Sequence, residues 1–105
     1  MDVDILNIHQ KEIITGFKAR FVHSEYTTTA FWEIEAGAEL PLHSHLHEQI
    51  FIVTEGQFEM TIDGITNIYT PGLLAIIPSN IQHSGKAITA CKITDIFSPV
   101  REDYK

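Results

Sequence analysis

One cysteine, Cys91, stands in a chain of 105 residues, so no disulfide can form within it. Basic residues are scarce: seven Lys and Arg against fourteen Asp and Glu leave a formal charge of −7 and a pI near 5.2. Such a surface repels nucleic acid and anionic membranes, and neither is expected as a partner. Long apolar runs are missing as well. The longest, Leu73–Ile77, falls far short of the roughly 20 residues that a membrane helix needs. Low-complexity segments, internal repeats and N-glycosylation triplets are absent. The start, Met1-Asp2-Val3-Asp4, has neither a basic region nor a long apolar stretch. A secretory leader is therefore not expected, and a cytoplasmic location is. What remains is ordinary: 44% hydrophobic and 20% charged residues, which suits a folded globular chain. The length fits a single domain over residues 1–105, with room for one core and one site.

No segment keeps a helical period for long. Turn signals recur instead, at Ser24-Glu25, Ala36-Gly37, Glu55-Gly56, Asp63-Gly64, Pro71-Gly72 and Pro78-Ser79-Asn80. Between them lie runs rich in Ile, Val, Thr, Phe and Tyr: Phe17–His23, Tyr26–Glu35, Gln49–Thr54, Phe58–Ile62, Ile65–Tyr69, Leu73–Ile77 and Ala87–Phe97. These compositions read as strands. Asp63-Gly64 is a two-residue hairpin signal, because a type I′ turn needs positive φ at both central positions. Short strands at this spacing make an all-β sandwich or barrel, and a jelly roll hides most of its strand edges.

The densest chemistry is His43-Ser44-His45-Leu46-His47-Glu48-Gln49. Residues two apart on a strand share a face, so His43 and His45 would point the same way. Imidazoles about 6–7 Å apart at Cα can chelate one ion; a solvated histidine loop is the bland alternative. Around this block, Gly37 lies six before His43, and Gln49 four after His45. Gly56 follows seven after that, and Gly72, Pro78 and His83 come downstream at intervals of six and five.

This arrangement resembles the two metal-binding motifs of the cupin superfamily, G-x5-H-x-H-x3-E-x6-G and G-x5-P-x-G-x2-H-x3-N. Gln49 takes the glutamate position, Asn80 the second motif's glycine and Ala87 its asparagine. Asn tolerates the left-handed conformation better than most residues. The resemblance implies a single-domain cupin, an all-β jelly-roll β-barrel, with His43, His45, Gln49 and His83 as metal ligands. His47, which shares parity with His43 and His45, competes for the fourth place. Glu48 would face outward if the strand restarts at Gln49. Three imidazoles and an amide leave a divalent ion its full charge and would favour an anionic ligand. Such donors suit Zn, Ni, Mn, Fe, Co or Cu.

Thr89–Phe97 alternates, with Cys91, Ile93, Asp95 and Phe97 on one face. Inward packing of Cys91 and Ile93 would bury Asp95, a costly place for a carboxylate unless it is paired or working. The alternative puts Ala90 and Ile96 inside and leaves Asp95 in water. Cys91 itself reads as a small buried hydrophobe. The ending Asp95-Ile96-Phe97-Ser98-Pro99-Val100-Arg101-Glu102-Asp103-Tyr104, together with the histidine block, is similar to small cupins of the KdgF type. That likeness implies catalytic roles for Asp95, Phe97 and Arg101, and ring opening of 4,5-unsaturated uronates to linear 5-keto-4-deoxyuronates. Asp95 would move a proton, and Arg101 could fork onto the substrate carboxylate. Without the likeness, Arg101 reads as a surface salt bridge to Glu102 or Asp103, and Phe97 as core.

The function expected is that of a metal-dependent enzyme on a small anionic sugar acid. A cupin dioxygenase and a non-catalytic small-acid binder are the alternatives. His9 and His23 read as ordinary surface or strand residues. Phe31 and Trp32 face opposite sides of one strand, so one would pack inside while the other meets a partner. Apolar residues on outer strand faces, with Ile5-Leu6 and Ile13-Ile14, point to a homodimer that covers a sheet edge.

Overall fold

The computed structural model describes all 105 residues. Ten strands follow in order: β1 (Lys11–Ile14), β2 (Phe17–His23), β3 (Thr28–Ile34), β4 (Glu39–His43), β5 (Glu48–Glu55), β6 (Phe58–Ile62), β7 (Ile65–Tyr69), β8 (Leu74–Ile77), β9 (His83–Ala87) and β10 (Cys91–Ser98). Single 3-10 turns at Ile5–Asn7 and Glu102–Tyr104 are the only helical elements. The strands form two antiparallel sheets, ordered β1-β2-β3-β10-β5-β8 and β4-β9-β6-β7. Together they make a jelly-roll barrel.

Alternation decides which face is buried. In β3, Thr28, Ala30, Trp32 and Ile34 point inward, and in β10 so do Cys91, Ile93, Asp95 and Phe97. Trp32 is therefore the inner of the Phe31–Trp32 pair. Phe51, Phe58 and Met60 are 2% exposed or less, and burying each such side chain is worth roughly 1.5–3 kcal/mol. The Asp63-Gly64 hairpin forms as expected, with φ of 50° and 78°.

Three strands escape the compositional reading. The run expected over Ala87–Phe97 is two elements: β9 ends at Ala87, and β10 starts at Cys91 after a tight turn. β9 contains Gly85, where a Cβ would lie 2.3 Å from Phe58 Cε1 and 2.8 Å from the Glu59 carbonyl oxygen. Packing of the Phe58 ring over the backbone thus demands a residue with low strand propensity. β4 carries Pro41, tolerated because β4 is an edge strand. β1 is only four residues long and mostly exposed.

Candidate metal centre

The centre is assembled where the end of β4, the loop after it, the first residues of β5 and the start of β9 meet. His43 and His83 are directly opposite each other in the β4–β9 ladder, with ring centroids 4.2 Å apart. His45 reaches the same point from the loop, its ring 5.7 Å from His43 and 5.0 Å from His83. One ring nitrogen from each of the three lies within 4.8 Å of the others. Strand parity does not align His43 with His45, contrary to expectation, since β4 stops at His43. The loop is held instead by a backbone bond from Asn80 N–H to the His45 carbonyl oxygen at 2.8 Å. Asn80 takes a left-handed φ of 65°, the conformation anticipated from its place in the second motif.

Each imidazole is oriented by a backbone carbonyl. Nδ1 of His43 lies 2.8 Å from Pro41 O, that of His45 2.9 Å from His47 O, and that of His83 2.9 Å from Ile81 O. Since a carbonyl only accepts, Nδ1 carries the proton in each case, and each Nε2 is left with a lone pair. His83 Nε2 is buried with no partner. His45 Nε2 faces Gln49 Oε1 at 3.1 Å, two acceptors in contact unless a cation lies against both. Burial also lowers the affinity of His45 for protons, and takes His83 down to about 4. Neutral imidazoles with free Nε2 lone pairs and backbone-anchored Nδ1 atoms are what a transition-metal ion requires. The donor set fits such an ion.

Gln49 is buried and stands beside His45. His47 contributes its carbonyl oxygen to the orientation of His45, and its ring lies outside the three-histidine group. Glu48 is exposed on the outer face, although β5 begins at Glu48 itself.

A cavity of about 240 Å³ opens onto this group, and Asp95, Phe97, Arg101, Trp32 and Tyr104 also line it. Asp95 is buried at 6% exposure. Its Oδ2 accepts from Trp32 Nε1 at 3.0 Å, while Oδ1 has no partner. Burial pushes its carboxyl up to about 7, against the pull of the Gln49 amide, the Trp32 indole and the Arg101 charge.

Arg101 is not at the surface: its side chain is 8% exposed, and its guanidinium carbon lies 4.6 and 4.1 Å from the centroids of the Phe97 and Tyr104 rings. Its partner is Asp103, reached through Nε at 2.9 Å and Nη2 at 2.7 Å. The fork expected to meet a substrate is therefore already taken by Asp103. Burial opposes that charge, but the Asp103 carboxylate outweighs it and holds the guanidinium protonated. Phe97 stands edge-on to His45 at 5.6 Å and supports both groups. Cys91 is buried, donates to the Gln57 and Thr89 carbonyls, and has its thiol pKa raised by burial.

Sequence reasoning missed Trp32 as the anchor of Asp95 and Tyr104 as a wall of the cavity. The opposite facing of Phe31 and Trp32 was visible, but which of them is inside was left open, and the neighbourhood of Trp32 to Asp95 follows from β3–β10 pairing, where Ile93 opposes Trp32 and Asp95 opposes Ala30.

The family model for the cupin domain matches residues 30–97. Among solved structures, an RmlC-like cupin from Shewanella frigidimarina is 28% identical, with 95% of this chain and 91% of that chain covered and a TM-score of 0.90. KdgF from a Halomonas species is 25% identical over 92% and 93% of the two chains, with a TM-score of 0.88. Oxalate decarboxylase from Bacillus subtilis shares the fold at 21% identity and a TM-score of 0.83, this chain covering 29% of its length. No curated protein sequence matches.

Proposed function

This chain belongs to the cupin family, and from that premise we propose that it is a metal-dependent enzyme that moves a proton on a small carboxylate bound in the barrel. Asp95 carries the reading. It is a carboxylic acid sealed in the barrel, with one oxygen held by Trp32, the other unpartnered, and a pKa of about 7. A group titrating near neutrality both takes and gives a proton, a role worth typically about 10²–10⁴-fold. His43, His45, Gln49 and His83 are the proposed ligands, and a divalent ion bound there would supply Lewis acidity toward a substrate oxygen. Four neutral donors leave the ion its full charge, which draws an anion, and the buried Arg101 charge adds to that pull. Phe97 holds Arg101 and His45 in place.

The finer reading is ring opening of a 4,5-unsaturated uronate monosaccharide to a linear 5-keto-4-deoxyuronate. The motif likeness at both ends of the chain and the structural likeness to Halomonas KdgF support it. Asp95 then moves the proton during ring opening and tautomerisation. Metal-loaded protein should speed the loss of the unsaturated-uronate absorbance over spontaneous opening, and Asp95→Asn should abolish most of the gain while keeping the metal. A wild-type rate equal to the spontaneous one would reject this substrate. We also propose a homodimer through the outer face of the larger sheet, where Ile50 opposes the exposed Ile76 and Ile52 opposes the exposed Leu74.

A further inference from the structure

Most of the polar side chains that line the cavity already have a task. The three histidines and Gln49 converge at one end, the Trp32 N–H is given to Asp95 Oδ2 at 3.0 Å, and Arg101 forks onto Asp103. The Tyr104 hydroxyl has none. Tyr104 closes the turn Glu102–Tyr104 and lines the same cavity. Its ring packs on Phe21 at 4.6 Å and stands edge-on to Trp32 at 6.2 Å and to Phe97 at 6.0 Å. The Arg101 guanidinium carbon lies 4.1 Å from its centroid. Neighbours on this many sides fix the ring, so the hydroxyl is positioned before any ligand arrives. Burial pushes the Tyr104 phenol pKa up, the Arg101 charge pulls it down, and the Asp103 and Asp95 charges add to the rise. The phenol therefore keeps its proton at neutral pH, and that proton has no acceptor in the fold. The guanidinium can only donate. The bonds to Asp103 come from Arg101, Asp95 Oδ2 accepts from Trp32, and Asp95 Oδ1 has no partner.

We infer that Tyr104 is a substrate-binding residue, whose hydroxyl donates a hydrogen bond to a ring hydroxyl of a sugar acid held in the cavity and so favours a hydroxylated ring over a bare one. The inference rests on the proposed reading for the carboxylate and adds the group that recognises the rest of the ring. A sugar hydroxyl that enters the barrel gives up bonds to water, and side chains such as Phe51, Phe58, Met60 and Ile93 return none. The phenol offers both a donor and lone pairs, and it carries no charge, which suits a neutral partner. The Arg101 charge beside it answers the carboxylate. A bond of this kind is worth roughly three- to tenfold in affinity.

Tyr104→Phe removes the hydroxyl and keeps the ring that Phe21, Trp32 and Arg101 pack against. Metal-loaded wild type and variant are titrated by calorimetry with galacturonate and with tetrahydropyran-2-carboxylate, which has the same ring and carboxylate without the hydroxyls. The variant should bind galacturonate roughly three- to tenfold more weakly, and tetrahydropyran-2-carboxylate within about twofold of wild type. Weakening of the bare acid to the same degree or more, or no weakening of either, would overturn the role of Tyr104 and leave the carboxylate reading standing. A wild type that binds only the bare ring would do the same. A wild type that binds neither acid would overturn the carboxylate reading and this inference with it.

Discussion

His83 and Asp95 pull the pH dependence of stability in opposite directions, and two substitutions separate them. In the metal-free fold His83 resists protonation down to about 4, whereas the unfolded imidazole protonates near 6.5. Between these values the unfolded chain binds more protons, so acid destabilises the fold. Taking pH from 7 to 5, this group alone costs about 2 kcal/mol. Asp95 has the contrary sign. Its carboxyl stays protonated in the fold up to about 7, against 3.8 for an aspartate in water. The folded chain therefore binds more protons, and the same acidification returns about 2 kcal/mol. The lowered His45 sides with His83. Chelator-stripped wild type should thus show a stability that changes little between pH 7 and 5. Asp95→Asn should lose about 2 kcal/mol over that span, roughly 10 °C in Tm for a domain this size. His83→Gln should instead gain stability on acidification, by up to about 2 kcal/mol, with His45 opposing part of it. Urea titrations at the two pH values measure these slopes. Three parallel slopes would refute the placement of both groups.

Elemental analysis of metal-loaded protein should find about one ion per chain, and His45→Ala or His83→Ala should lose it. Gln49→Glu adds a charge to the donor set; it should tighten metal retention against chelators and weaken anion binding, read by competition with a small carboxylate. Asp103→Ala leaves a buried guanidinium without its fork, so it should lower unfolding stability by about 1–3 kcal/mol in denaturant titration. Below about pH 4 the wild type should converge on that variant, because Arg101 holds the Asp103 carboxyl below its ordinary value and this contribution is lost as pH falls through it. Ile76→Lys, at a residue 60% exposed, should convert a dimer to a monomer in light scattering.

Much of the barrel was legible because its long strands obey a period of two. β10 is paired on both sides, with β3 and β5; it keeps strict alternation through the register shift against β5 at Lys92/Ile93, and Asp95 goes inward with Cys91, Ile93 and Phe97. The strands that escaped are those in which packing outweighs propensity. Gly85 is dictated by the Phe58 ring lying on its backbone, and Pro41 is permitted by the edge position of β4. The alignment of His43 with His45 was anticipated for a reason that does not operate. Two loops joined through Asn80 N–H bring His45 round, and that bond has no signature beyond the left-handed residue that makes it.

Arg101 shows where local reading stops. Its partner two residues on, Asp103, was visible in the chain; its burial was not. That burial comes from the Phe97 and Tyr104 rings packed against the guanidinium, with the Arg101 N–H held by Thr28 from a strand 73 positions away. The same division runs through the whole site. Asp95 and the imidazoles sit in short segments and can be read as chemistry. The apolar walls are single residues drawn from several strands, each indistinguishable in sequence from ordinary core. Only their convergence on an open space makes them walls. The titratable groups and the shape of the cavity are therefore encoded at different ranges, and a change at Met60 or Ile93 can alter the second while leaving the first in place.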